Sequence, residues 1–341
     1  MSDNQSGREG VSTLTDGTSI SRRKFIAGSA ATAVTAGLAG CGGAIGGSGS
    51  SGGETVTMLL TPGTPGDIRP RYEPVLRMLN DKVDGAEVEM EVPQNYSAIK
   101  PALESEQAEI GMDDVTLISN PDIMDVYGTN VTDGSAFYFS MMLVPLDSEI
   151  EKRTDVEGKT WAFADRLSTS GSIFALYTLQ EAGLDIGEAP EEQPNDFEGS
   201  WTDHNQAIQR VANDKADGAT TWGGNGFPHV PEKFESEFPE RVTEKSSFLG
   251  DVGTEQPELR PIWFSFPIPK QPWYARQTWE SPVKEEIGEV LRNSDQETIS
   301  EYYPDDYDTD NPAFTTLRDT SMETYEPVIK RMNAVGIDPA A

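Results

Sequence analysis

Ser168-Thr169-Ser170-Gly171 concentrates three hydroxyl groups at one point of the chain. An apolar pentad, Thr160-Trp161-Ala162-Phe163-Ala164, and a short turn, Asp165-Arg166-Leu167, precede it. Apolar residues at helical spacing follow, Ile173, Leu176, Tyr177 and Leu179, closed by Gly183. This order predicts a strand, a turn and a helix whose N-terminus carries the hydroxyls. A helix start holds unpaired N–H donors and partial positive charge, which suits an oxyanion. The chemistry open to Ser168, Thr169 and Ser170 is therefore capture of a phosphate-like group. The same hydroxyls also serve as helix caps for purely local reasons.

Other residues able to do chemistry are scattered. Tyr96 and the pair Asp113-Asp114 each follow the end of an expected strand. The tyrosine suits a rim aromatic as well as a ligand contact. The two acids suit metal or acid–base work as well as plain capping. His204 opens a helix capped by Asp203, where a lone histidine is ordinarily structural or solvent-facing. No nucleophile elbow, P-loop or metal-ligand spacing accompanies them, which argues against a hydrolase built on Asp113, Asp114 and His204. We expect no catalytic residue, no metal and no cofactor.

The elements that would position these groups alternate. Thr55–Leu60, Val88–Val92, Ile110–Met112, Phe137–Val144 and Gly218–Trp222 read as strands. Helical spacing appears from Tyr72 to Leu79, from about Ala98, from Ala207 to Val211, after Ser281-Pro282, and over 322–335. Such alternation predicts parallel α/β sheets, with ligands at the carboxyl ends of strands. Thr61–Pro70 reads as a Pro/Gly loop and Gly187–Gly199 as an acidic, Pro-rich one. Leu259–Pro269 suits a crossing segment, because its three prolines disfavour a central strand. The region 227–251 shows no clean period.

The chain has 341 residues, room for two sizeable domains, and a formal net charge of −32 from 58 acids and 26 bases. That surface argues against nucleic acid or anionic lipid as a partner. Molar salt, which shortens the screening length to about 3 Å, would relieve its self-repulsion. The composition therefore points to a halophilic source. A hydrophobic content of 36% with clear periodicities argues against a disordered acidic chain.

The first 41 residues read as an address. Ser21-Arg22-Arg23-Lys24-Phe25-Ile26 and the apolar run to Leu38 form a twin-arginine export signal, too short and Gly/Ala-rich to span a bilayer. Leu38-Ala39-Gly40-Cys41 has the form of a lipobox. Cys41 is the single cysteine, so lipidation is expected and no intrachain disulfide can form. Residues 42–53 would be a flexible Gly/Ser tether. The expected location is the outer face of the cell membrane.

Three segments together resemble the substrate-binding proteins of phosphate, phosphite and phosphonate ABC transporters, in a haloarchaeal lipoprotein form. They are Tyr138-Phe139-Ser140 running to Asp147-Ser148, Gly158-Lys159 through Ser168-Thr169-Ser170-Gly171 to Asp185, and His204 through Asp217-Gly218-Ala219. The resemblance implies a type II periplasmic-binding-protein fold, two α/β lobes joined by two crossing hinge segments. Residues 54–143 plus 256–341 would form the first lobe and 144–255 the second. It further implies that Ser168, Thr169, Ser170, Tyr96, Tyr138 and His204 cage a phosphorus oxyanion. A monomer would then deliver the ligand to an ABC permease and ATPase complex. A sensor of the same fold is the alternative. Two departures bear on selectivity. Trp222-Gly223-Gly224 stands where aminophosphonate binders carry an acid, and Asp113-Asp114 stands where small or apolar residues are usual.

Overall fold

The computed structural model describes residues 53–336 except 63–64, 113–114, 116–121, 310–311, 313 and 321. The export signal, Cys41, the tether up to residue 52, Asp113 and Asp114 lie outside the described residues. The described residues belong to one unit, Gly49–Ala341.

Among the described residues thirteen strands appear in chain order: β1 (Glu54–Leu60), β2 (Ala86–Glu91), β3 (Ile110–Met112), β4 (Met124–Val131), β5 (Phe137–Tyr138), β6 (Ser140–Pro145), β7 (Thr160–Phe163), β8 (Glu198–Trp201), β9 (Gly218–Trp222), β10 (Leu259–Phe264), β11 (Ile268–Pro269), β12 (Pro272–Arg276) and β13 (Thr316–Arg318). They form a six-stranded sheet, β13-β4-β12-β3-β1-β2, a five-stranded sheet, β10-β6-β9-β7-β8, and the pair β11-β5. In the first sheet β1 is parallel to β2 and β3, while β12 runs antiparallel to β3 and β4. In the second, β7 is parallel to β8 and β9, and β6 is antiparallel to β9 and β10.

Period-two alternation on β7 explains the layering of the second sheet. Trp161 and Phe163 pack with Phe174, Leu176 and Leu179 of helix Phe174–Glu181. Ala162 points to the other face, against Ala207, Ile208 and Val211 of helix His204–Ala212. The first sheet is covered by helix Pro65–Lys82 through Val75, Met78 and Leu79, and by helix Pro282–Asn293 through Ile287 and Leu291. Ser281 caps the latter helix, its hydroxyl accepting from Val283 N–H, as its sequence predicts.

Several expectations are corrected. The helix expected near Tyr72 already starts at Pro65 and runs through Pro70 and Pro74. Burial of its apolar face sustains it despite two missing amide donors. Ser140–Pro145 pairs in the second sheet, not the first, and so does Leu259–Phe264. The latter is a strand after all. It lies at the sheet edge, and its register shifts between Pro261 and Trp263, which is how a strand accommodates proline. Strands β4, β8, β12 and β13 have no counterpart among the expected strands; β13 has only three residues and β8 ends the acidic loop.

Topology dictates how the sheets meet. β4 ends at Val131, on the carboxyl edge of the first sheet, and β6 starts at Ser140, opposite Trp222 at the carboxyl end of β9. The chain returns from Phe264 to Pro272 in similarly few residues. A link of about eight residues spans at most roughly 28 Å. The two carboxyl edges are therefore held within that distance of each other by two links, which pair through β5 and β11. The crossing links also bond to each other: Ser265 N–H donates to Ser140 O at 2.9 Å, and Ser140 N–H donates to Ser265 Oγ at 3.0 Å.

Candidate ligand-binding site

The hydroxyl loop sits at the carboxyl end of β7. Asp165 pins the turn before it: its Oδ1 accepts from Leu167 N–H at 2.9 Å, and its carbonyl accepts from Ser168 N–H. Burial raises the Asp165 pKa, opposed by that hydrogen bond and by Arg166. Arg166 lies over the Trp201 ring, 4.8 Å from its centroid.

From Thr169 to Ile173 the chain makes a π-type turn before the α-helix begins. Ser168, Thr169 and Ser170 are 2%, 2% and 3% exposed. N–H groups at such a start have no acceptor within the helix. Ser168 Oγ caps the turn by accepting from Gly171 N–H at 3.1 Å. Ser140 Oγ donates to Ser170 O at 2.6 Å, tying the loop to β6. A side chain at Gly171 has no room, because a Cβ there would lie 2.3 Å from Ala164 Cβ and 2.9 Å from His204 Cε1.

His204 reaches this loop from the carboxyl end of β8, on a helix capped by Asp203, whose carboxylate accepts from Gln206 N–H at 2.7 Å. Its Nδ1 accepts from Trp222 N–H at 3.3 Å and lies 2.9 Å from Thr221 Oγ1. An acceptor Nδ1 makes the Thr221 hydroxyl a donor and puts the ring proton on Nε2. That nitrogen faces Ser168 Oγ at 3.3 Å. Burial lowers the His204 pKa to about 4, against a smaller opposing pull from Asp203, so the ring is neutral near pH 7. Ser168 Oγ thus faces two N–H donors, and its own proton is free to point at a third group.

The remaining expected residues fall as follows. Trp222 ends β9, its ring centroid 6.5 Å from that of His204 and edge-on to Phe248 at 4.9 Å. Tyr138 is buried in the crossing pair, two residues before Ser140. Tyr96 begins a short turn after β2 and packs half-buried against the apolar cluster that includes Tyr138 and Ile173. The structure therefore joins Ser168, Thr169, Ser170, His204 and Trp222 directly. It puts Tyr138 on the hinge beside them and Tyr96 on the side of the first sheet. Among the described residues no group of three or more His, Cys, Asp or Glu could hold a metal, and no helix is long and apolar enough to cross a membrane.

Three contributors escaped the sequence reading. Thr221 is a polar residue in a buried strand, and nothing in its spacing marks it. Gly171 is fixed by close approach, which spacing does not reveal. Lys270 is 4% exposed on the second crossing link, its Nζ donating to Ser247 Oγ at 3.0 Å and Thr132 O at 3.3 Å. Burial lowers its pKa to about 7, countered by Asp133 and reinforced by Arg71. A lone lysine between prolines and aromatics was the available signal.

Residues 59–339 match the family described as "ABC transporter, phosphonate, periplasmic substrate-binding protein". Among solved structures, a binding protein component of an ABC phosphonate transporter from Pseudomonas aeruginosa is similar at 16% identity. That match covers 83% of this chain and 87% of that one, with a TM-score of 0.61. PhnD1 from Prochlorococcus marinus, in complex with methylphosphonate, is similar at 15% identity over 84% of this chain and 99% of that one, also with a TM-score of 0.61. XAC2383 from Xanthomonas citri, bound to ATP, is similar at 13% identity over 83% and 98%, with a TM-score of 0.58. At these identities the structural likeness speaks for the fold, which is that of the type II periplasmic binding proteins.

Proposed function

The chain belongs to the family of periplasmic substrate-binding proteins of phosphonate ABC transporters, and from that premise we propose that it captures a phosphorus oxyanion on its Ser168–Gly171 loop. It is a solute-binding receptor rather than an enzyme. The observation that carries the ligand reading is the hydrogen-bond economy at Ser168. Its oxygen is saturated by Gly171 N–H and the His204 Nε2 proton, which commits its hydroxyl to donate. Thr169 and Ser170 supply further hydroxyls, at a helix start whose partial positive charge favours an anion. Tyr138 and Tyr96 close the cage from the hinge and the first sheet.

A neutral His204 makes the Ser168–Gly171 loop a cradle of dipoles rather than of fixed positive charge. Each hydrogen bond to an ionised group contributes about 1.5–3 kcal/mol. Hinge closure strengthens them by excluding water. Trp222, which ends β9 and lies edge-on to Phe248, puts aromatic surface rather than a carboxylate at this point, so an aminoalkyl substituent would find no ion-pair partner there. Phosphite, phosphate and methylphosphonate are therefore the candidate ligands.

The chain is exported by the twin-arginine route, lipidated at Cys41, held outside the membrane as a monomer, and passes its ligand to a permease and ATPase. Its net charge of −32 suits molar salt, where screening within a few ångströms leaves the short-range donors in control. Tryptophan-fluorescence titration in high salt with phosphite, phosphate, methylphosphonate, aminoethylphosphonate and sulfate tests the reading. Saturable binding of at least one of the first three supports it; binding of none of them refutes it.

A further inference from the structure

Away from the cleft loop, a cavity of about 220 Å³ brings together three guanidinium groups. Arg153 comes from the turn Arg153–Val156, Arg241 from the short helix Glu240–Thr243, and Arg331 from the last helix, Glu326–Ala334. In a chain with 58 acids and 26 bases, a lining of three arginines and a single carboxylate, Glu181, runs against the composition. None of the three arginines makes an ion pair among the described residues.

Each guanidinium is held in place while keeping donors in reserve. Arg153 Nη1 donates to Thr178 O and Thr178 Oγ1, which leaves Nε and Nη2. Arg241 spends Nε on Ser265 O and Nη2 on Phe264 O, which leaves Nη1. Arg331 Nη1 donates to Pro327 O. The Arg331 guanidinium lies over Phe266 at 4.0 Å, with Tyr177 at 5.1 Å and Phe174 at 5.6 Å, an aromatic seat that fixes it without neutralising it. Glu181 is engaged by the Tyr177 hydroxyl.

We infer that this cavity is a second anion site, distinct from the interlobe cleft, and that it takes a compact polyvalent oxyanion. Three positive groups against one carboxylate leave two charges to balance, which a monovalent halide does not do. Forked N–H donors match the paired oxygens of phosphate or carboxylate groups. The aromatic walls thin the surrounding water, which strengthens those contacts. The site also joins elements of different parts of the fold. Arg153 and Arg241 flank the second sheet, Phe266 is on the crossing link, and Arg331 is on the helix that follows β13 of the first sheet. An anion bound there ties the terminal helix to the hinge.

Calorimetric titration of the full chain with pyrophosphate and with citrate tests the inference. Saturable binding of either is expected. Ser168→Ala should leave its affinity unchanged, and the double variant Arg153→Gln/Arg241→Gln should weaken it at least tenfold. Glu181→Gln, at an exposed position, should tighten it severalfold and serves as the readout if the double variant fails to fold. Absence of saturable binding by both anions overturns the site. So does binding that Ser168→Ala abolishes, or that neither the arginine substitutions nor Glu181→Gln alters.

Discussion

His204 Nε2 stands 3.3 Å from Ser168 Oγ, and the opposite ring nitrogen is occupied by donors from Thr221 and Trp222. The imidazole thus acts as a one-way spacer: it accepts from β9 and donates to the hydroxyl loop. It holds the Ser168 hydroxyl oxygen while itself uncharged near pH 7.

Ser168→Ala and Thr169→Ala should each weaken binding of the phosphorus oxyanion by roughly ten- to a hundredfold, the equivalent of about 1.4–2.7 kcal/mol. Ser168→Ala also removes the cap on Gly171 N–H, so circular dichroism should accompany the titration. An affinity equal to the parent's in a folded Ser168→Ala protein would remove this residue from the site.

The depressed pKa of His204 makes stability depend on pH. Between the folded value of about 4 and the ordinary value of 6.5, the unfolded chain holds more protons at this position. Stability therefore falls as pH drops through that window, by at most about 3 kcal/mol from this group. Urea midpoints at pH 7 and pH 4.5 should differ less in His204→Gln than in the parent. A parent and variant with the same pH profile would contradict the buried neutral ring.

Gly171→Ala should destabilise the protein by about 1–3 kcal/mol, since the new methyl meets Ala164 Cβ at 2.3 Å and neither backbone can yield freely. Pairing it with Ala164→Gly should restore part of that loss, though the contact with His204 Cε1 remains. Additive effects in denaturant melts would show that the two positions do not press on each other.

Lys270 titrates near pH 7 in the fold against 10.5 in its ordinary state. Between those values the unfolded chain carries the extra proton, so stability from this group rises with pH across the window. Lys270→Met should flatten the slope of stability between pH 7 and 10. An unchanged slope would mean that the lysine is better solvated than its packing against Phe248 and the crossing links indicates.

How much of this was legible in the sequence depends on how local the cause was. The helix starts at Ser168, Asp203 and Ser281 were readable, because a cap is a contact between near neighbours in sequence. The cap at Ser168 uses the hydroxyl oxygen and leaves its proton uncommitted to the cap. Strands β4 and β12 were hidden because their partners lie far along the chain, and Pro261 concealed an edge strand whose place only the whole sheet defines. The meeting of His204 with Thr221 and Ser168 was hidden for the same reason, as it spans three strands' carboxyl ends. The cluster of Arg153, Arg241 and Arg331 lay across separate turns and helices with no spacing to betray it.

The most direct measurement is the structure of the protein with methylphosphonate bound. The account predicts phosphonate oxygens within hydrogen-bond reach of Ser168 Oγ, Thr169 Oγ1 and the N–H groups at the helix start, with His204 still donating to Ser168. Methylphosphonate seated elsewhere, with the Ser168–Gly171 loop making no contact to it, would contradict the account.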